Sequence, residues 1–260
     1  MNTPTKSRKM GRVGWAQGES HGMQPKLSVG ETLRRTFSIY RDQAGVLLPV
    51  AFWLFLLVAI AELAAGDNEL SLFLVSLVLG LAITFLYQGM VVALVKDVQD
   101  GRRDHSIGEL MRLVLPVLMP LIGAGLLVGI SVGVGILLLI APGLFLLTIW
   151  AVTAPVIMIE RRGVFDALGR SRQLVRGNGW PVLGVIVVAL LIGVTVAILL
   201  AVVADAVADG EIVGAVFSTL AATVTAPIEG LIASVLYFRL LELQSDSSAS
   251  AAAPEPPVAS

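Results

Sequence analysis

Long uncharged stretches alternate with short charged ones along almost the whole chain. Uncharged runs extend from Ala44 to Ala61, Ser71 to Val95, Leu113 to Ile159 and Pro181 to Ala204, and a last one, Ile212 to Phe238, is interrupted only by Glu229. A helix needs about 20 residues to cross ~30 Å of hydrocarbon. Each run holds one crossing except Leu113–Ile159, which is 47 residues long and too long for one helix. Pro142-Gly143 is expected to divide it, because proline removes an amide donor and glycine ends helices cheaply. The predicted spans there are Pro116–Ile140 and Gly143–Ile159. The pattern predicts an all-α fold, a polytopic membrane bundle of six transmembrane helices.

Each pair of spans is preceded by a short segment of helical periodicity. Ser28-Val29-Gly30-Glu31 and Ser106-Ile107-Gly108-Glu109 both read as capping boxes, with a serine accepting an amide at the helix start and a glutamate reaching back. After the first box, Val29, Leu33, Phe37 and Tyr40 recur on one face, opposite Glu31, Arg34, Arg35 and Arg41. A third segment, Val164 to Val175, sets Val164, Leu168 and Val175 against Asp166, Arg170 and Gln173. The expected plan is three units of amphipathic helix plus transmembrane hairpin, each helix lying along the membrane face and feeding its hairpin. Around this membrane domain, 27–242, a basic arm (1–26) and a Ser/Ala/Pro-rich tail (243–260) read as disordered.

Charge orients the bundle. Residues 1–43 hold eight Lys and Arg, 96–112 four and 160–179 five; with Arg239 this is the whole supply of 18. The other three connections hold none, and two are acidic. Basic residues concentrate on cytoplasmic loops, so both termini are expected in the cytoplasm. The basic start is followed by no apolar core of a signal peptide.

Composition narrows the chemistry. Of 260 residues, 56% are hydrophobic and 14% charged, about half the charge of a soluble domain. Mean hydropathy is +0.87 and the pI is about 6.1, so no basic field points to nucleic acid. Cysteine is absent, and the two histidines, His21 and His105, lie in polar stretches. No cofactor or metal is expected.

The candidate polar site inside the membrane is Glu229, two residues after Pro227. An acid near mid-bilayer costs ~2.5–3.5 kcal/mol on insertion scales, so such groups face a bundle interior or a wet cavity. Pro227 is expected to break the sixth span, and Thr225 and Gln88 are the candidate neighbours. The bland reading is an acid hydrogen-bonded to a neighbouring helix; the functional one is a contact for a proton, a cation or a polar solute. Glu160, Arg161, Arg162, Arg170, Arg172 and Arg176 are candidate lipid-headgroup contacts, although topology alone accounts for most such charge. Gly129-Ile130-Ser131-Val132-Gly133 matches the pattern of a hydrolase nucleophile elbow, which requires a strand, a turn and a histidine base. Within a span, Gly125, Gly129 and Gly133 read better as small residues for close helix packing.

From Pro142-Gly143 through Trp150, Pro155 and Glu160 to Ala167-Leu168, Arg170-Ser171 and Gly177, the order resembles a multi-span membrane-domain family. That family lies N-terminal to some bacterial glycerophosphodiester phosphodiesterases and also occurs as stand-alone proteins. The closing Leu236-Tyr237-Phe238-Arg239 and the entry from Ser28 to Tyr40 are similar too. The resemblance implies the membrane bundle, set in the cytoplasmic membrane of a bacterial cell. It carries no catalysis over, because the histidines and acids of the fused enzyme domain are not present as a set. The leading expectation is a non-catalytic protein that binds or handles lipid or a small polar solute, or scaffolds a membrane-protein partner or a second copy of itself. A transporter or channel using Glu229 ranks next, and an intramembrane headgroup enzyme last.

Overall fold

The computed structural model describes residues 27–66, 68–100, 106–207 and 210–252. The basic arm and the final eight residues lie outside them. Among the described residues the chain is helical, and six helices are long and apolar enough to cross a membrane: Val29–Ala65, Glu69–Gln99, Ile107–Leu138, Ile140–Glu160, Gly179–Val207 and Ile212–Asp246.

In the first unit, α1 (Val29–Ala65) is one helix of 37 residues. Ser28 caps it, its Oγ accepting the Glu31 amide at 3.4 Å. The Glu31 carboxylate does not complete the box; it pairs with Arg239 instead. The expected separate helix at 28–41 is therefore continuous with the first span. Asp42 and Gln43 carry no signal strong enough to stop a helix, and Gly45 and Pro49 are accommodated inside it. The return path runs through α2 (Glu69–Val75), a widened π turn at Ser76–Gly80, and α3 (Leu81–Gln99). Ser76 Oγ donates to Glu62 across this hairpin.

In the second unit the box at Ser106 is complete. Ser106 Oγ accepts the Glu109 amide at 3.4 Å, and the Glu109 carboxylate accepts the Ser106 amide at 2.7 Å. It opens α4 (Ile107–Val114), which passes through a tight turn at Leu115–Val117 into α5 (Leu118–Leu138). The chain then reverses at Leu139, whose φ of −160° and ψ of 136° are extended, and continues as α6 (Ile140–Ile149) and α7 (Thr153–Glu160). The division of the long apolar run thus falls before Pro142-Gly143, not at it. Proline is tolerated in a first helical turn, where its missing amide would have had no partner. The reversal depends on glycine for a different reason: a Cβ on Gly143 would lie 2.7 Å from the Ile136 backbone nitrogen, and one on Gly135 2.9 Å from the Gly143 Cα.

The third unit has a separate helix, α8 (Val164–Val175), a turn containing Gly177 at φ 89°, then α9 (Gly179–Val207) and α10 (Glu211–Ala252). The tail expected to be disordered from 243 is helical as far as Ala252, because Leu243 packs on the core and Gln244 Nε2 donates to the Gln173 carbonyl at 3.3 Å.

Packing is uneven along the bundle. The α3 residues Tyr87–Val95 and the α10 residues Leu231–Tyr237 form its axis, with α7, α8 and the first half of α1 around them, and this basic end is densely buried. The opposite end splays. Leu57, Ile60, Phe73, Leu137, Leu199 and Ile212 are all exposed there, as lipid-facing side chains are.

Candidate functional site

Glu229, Thr225 and Gln88 line one cavity of about 470 Å³ between α3, α6, α9 and α10. Thr225 and Glu229 are one turn apart on α10, so they share a face. Gln88 reaches the same space from α3, and the rest of the wall is apolar, with Leu147 from α6, Ile186 and Gly193 from α9, and Leu236 further along α10. Thr225 spends its hydroxyl on its own helix, donating to the Ala221 carbonyl at 2.8 Å. Glu229 is exposed to the cavity, and neither it nor Gln88 has a hydrogen-bond partner among the described residues. The three polar groups are brought together without being tied together.

Pro227 is buried in α10 and does not line this cavity. The expected break is absent: α10 runs unbroken through it. A proline removes the amide donor to the carbonyl four residues before it; Tyr40 of α1 donates its hydroxyl to the adjacent Val224 carbonyl at 3.3 Å and ties α1 to α10 at this turn.

The candidate headgroup residues separate into two groups. Glu160, at the end of α7, is the centre of an internal network. Its Oε2 accepts from Arg162 at 2.6 Å; its Oε1 accepts from Arg170 Nε at 3.1 Å and from the Tyr237 hydroxyl at 3.2 Å. Arg170 continues to Gln244 Oε1 at 3.5 Å, so α7, α8 and α10 are joined at one carboxylate. Arg161 takes a left-handed conformation (φ 54°) that ends α7, and donates to the Leu113 carbonyl at 3.2 Å. Arg172 and Arg176 belong to neither arrangement. They are exposed beside a separate depression.

The three glycines of α5 also differ. A Cβ on Gly125 would lie 1.7 Å from the Phe85 ring, so α3 packs directly on it, whereas Gly129 and Gly133 meet nothing within 4 Å. The close contacts fall instead at Gly135 and Gly143, and at Gly230, where a Cβ would come within 2.9 Å of Val91. Spacing alone gave no means of telling which face of α5 meets protein.

Two structural residues enter the sequence reading only through the family resemblance, with no role attached to them. Tyr237 supplies one of the three donors to Glu160. Ser171 accepts the Val152 amide at 3.3 Å and donates to the Ile149 carbonyl at 2.9 Å, bridging the interruption between α6 and α7.

No family model matches the chain, and no solved structure matches it. Over 106 residues it is 29% identical to a UPF0259 membrane protein of Pectobacterium carotovorum subsp. carotovorum; the match takes in 41% of this chain and 42% of that protein. The chain is a multi-span membrane protein. Its likeness to this bacterial relative and its six apolar helices agree on that, and the chain matches less than half the length of the relative.

Proposed function

We propose that the protein is a non-catalytic binding protein of the bacterial cytoplasmic membrane, taking an amphiphile into the groove that Glu229 faces. One observation carries this reading: a carboxylate, an amide and a hydroxyl converge on a cavity between helices whose other walls are hydrocarbon. Polar groups at membrane depth are costly unless paired or hydrated, and Glu229 and Gln88 have no partner among the described residues. The chemistry they suit is a long-chain molecule bearing a hydroxyl or amine. Its chain would follow the apolar wall of α9 while its donor meets the carboxylate.

Binding is favoured over conduction by the packing below the groove. Val91, Val95, Leu231 and Val235 are at most 1% exposed, so a path toward the basic end would need the core of the bundle to open. Binding is favoured over turnover because Glu229 is the one acid in the lining, and acid–base or two-metal chemistry calls for more than one group at the same depth. The resemblance to the phosphodiesterase-linked membrane domain fits this reading. Several residues that carry it, Gly143, Glu160, Arg170 and Ser171, are the ones that hold the helices together.

A long-chain alcohol carrying a diazirine at its hydroxyl end tests the groove. It should photolabel peptides of α9 and α10 in the reconstituted wild-type protein. Glu229→Gln, which keeps a hydrogen-bond acceptor, should retain most of the labelling. Glu229→Leu should lose most of it while unfolding at an unchanged denaturant concentration. Equal labelling of wild type and Glu229→Leu would remove Glu229 from the binding site.

The orientation has its own test. With both termini cytoplasmic, a cysteine replacing Val207, exposed at the end of α9, should react with an impermeant maleimide in intact cells. Cysteines at Gly108 and Gly163, where a Cβ meets nothing within 4 Å, should react only after lysis. The reverse pattern would invert the protein in the membrane.

A further inference from the structure

The depression beside Arg172 and Arg176 is distinct from the groove and lies at the basic end of the bundle. Its volume is about 480 Å³, and Phe145 and Ile149 of α6, Gly177 and Gly179 line it together with the two arginines. Arg172 and Arg176 are one helical turn apart, at the end of α8 and just beyond it, so both guanidinium groups serve the same space. Neither forms an ion pair or side-chain hydrogen bond with any described residue, and no acid lines the depression. The two acids nearest in sequence do not neutralise them: Asp166, in the first turn of α8, pairs with neither arginine, and Glu160 is already occupied by Arg162, Arg170 and Tyr237. Among the described residues the cationic wall is therefore uncompensated.

Two further features point to an anion rather than to solvated surface. The depression abuts the start of α9 at Gly179, where the helix dipole places partial positive charge and amides without helical partners. Its other wall is apolar, made by Ile149 and by Phe145, which is 59% exposed. Guanidinium groups bind phosphate oxygens in pairs of parallel hydrogen bonds. An apolar wall beside them suits the chain attached to such a phosphate.

We infer that Arg172 and Arg176 form a binding site for a phosphate-bearing ligand, with the acyl chain of an anionic phospholipid lying against Phe145. This differs from the topological role that Lys and Arg play on cytoplasmic loops generally, because it assigns the binding to two arginines and not to basic charge as such.

The full chain, purified in detergent, would be titrated by native mass spectrometry with phosphatidylglycerol, with phosphatidylcholine and with sn-glycerol 3-phosphate. Juxtamembrane basic residues contribute about 1 kcal/mol each toward anionic lipid, so R172Q/R176Q should weaken phosphatidylglycerol binding by at least about tenfold. R34Q/R41Q removes the same charge from exposed positions of α1 and should leave binding within about twofold, because neither arginine lines the depression. R172K/R176K, which keeps charge but loses the planar fork, should fall between; it also serves if the glutamine variant does not fold. Tighter binding of phosphatidylglycerol than of glycerol phosphate identifies a lipid as the source of the phosphate, and the reverse identifies a soluble phosphate ester; either supports the site. Equal losses in R172Q/R176Q and R34Q/R41Q, equal retention of phosphatidylcholine, or no binding of either phosphate compound would overturn it. The test reads nothing at Glu229, so its failure leaves the groove untouched.

Discussion

Gly143→Ala and Gly135→Ala are each expected to destabilise the protein by about 1–3 kcal/mol or more, the range for overpacking a tight contact. Gly129→Ala and Gly133→Ala on the same hairpin should be neutral or stabilising. At Gly143 the new methyl would stand 2.7 Å from the Ile136 nitrogen and 3.0 Å from its Cα, and at Gly135 it would stand 2.9 Å from the Gly143 Cα. These are backbone atoms, so no side chain can turn aside; the two arms of the hairpin must separate. At Gly129 and Gly133 there is open space, and alanine gains up to about 1 kcal/mol of helix propensity over glycine. Gly125→Ala should cost less than the hairpin pair, because the atoms it meets belong to the Phe85 ring, and Phe85 is only partly buried. Unfolding in mixed micelles against the mole fraction of dodecyl sulfate ranks the five variants. A midpoint for Gly143→Ala equal to that for Gly133→Ala would contradict the close approach at the turn.

Glu160→Ala should cost about 2–3 kcal/mol in the same assay. It removes the acceptor of three hydrogen bonds and leaves Arg170, whose side chain is 23% exposed, without its carboxylate. Breaking a fully buried pair costs about 3–5 kcal/mol, and the residual exposure of both partners lowers the expectation. Arg162→Ala should cost below about 1 kcal/mol, since Arg162 is 46% exposed and surface pairs contribute little. Tyr237→Phe should cost about 1 kcal/mol, as for one hydrogen bond. A double-mutant cycle between Glu160 and Arg170 should show coupling where one between Glu160 and Arg162 shows almost none. If Glu160→Ala unfolded at the wild-type midpoint, the carboxylate would not be the junction of α7, α8 and α10.

Much of the fold was legible because bilayer thickness imposes a length on each apolar run, and the distribution of Lys and Arg tests the count independently. Helix ends were less legible, for local reasons. Pro142-Gly143 reads as a break, yet the reversal sits at Leu139, where the contact between Gly135 and Gly143 decides the geometry. Pro227 reads as a break too, yet α10 runs on through it, buried between its neighbours and tied to α1 at the preceding turn by Tyr40, from 184 residues away. The polar groove was partly legible: Gln88, Thr225 and Glu229 stand out as polar residues within apolar runs, and all three line it. That they share it without bonding to one another depends on helix rotation, which the sequence pattern does not encode. The arginines near Glu160 look equivalent in sequence. Only the path of α7 and α8 separates Arg170, which is bound inward, from Arg172 and Arg176, which are not.

The reversal at Leu139 bears on how this protein is made. The turn that α5 and α6 present to the far side has no polar side chain, only Leu137, Leu138, Leu139 and Ile140, each at least 68% exposed. In the proposed orientation, delivering this hairpin into the bilayer carries no charge or amide side chain across it, so the two arms can partition from the insertion machinery as one oily wedge. The charged side chains of the other two outward connections are all acids, Asp67 and Glu69 in one and Asp205, Asp209 and Glu211 in the other. A cell interior that is electrically negative drives each such acid outward with about 2.3 kcal/mol per 100 mV. Collapsing the membrane potential during synthesis should therefore delay the first and third hairpins and leave the second entering at its usual rate.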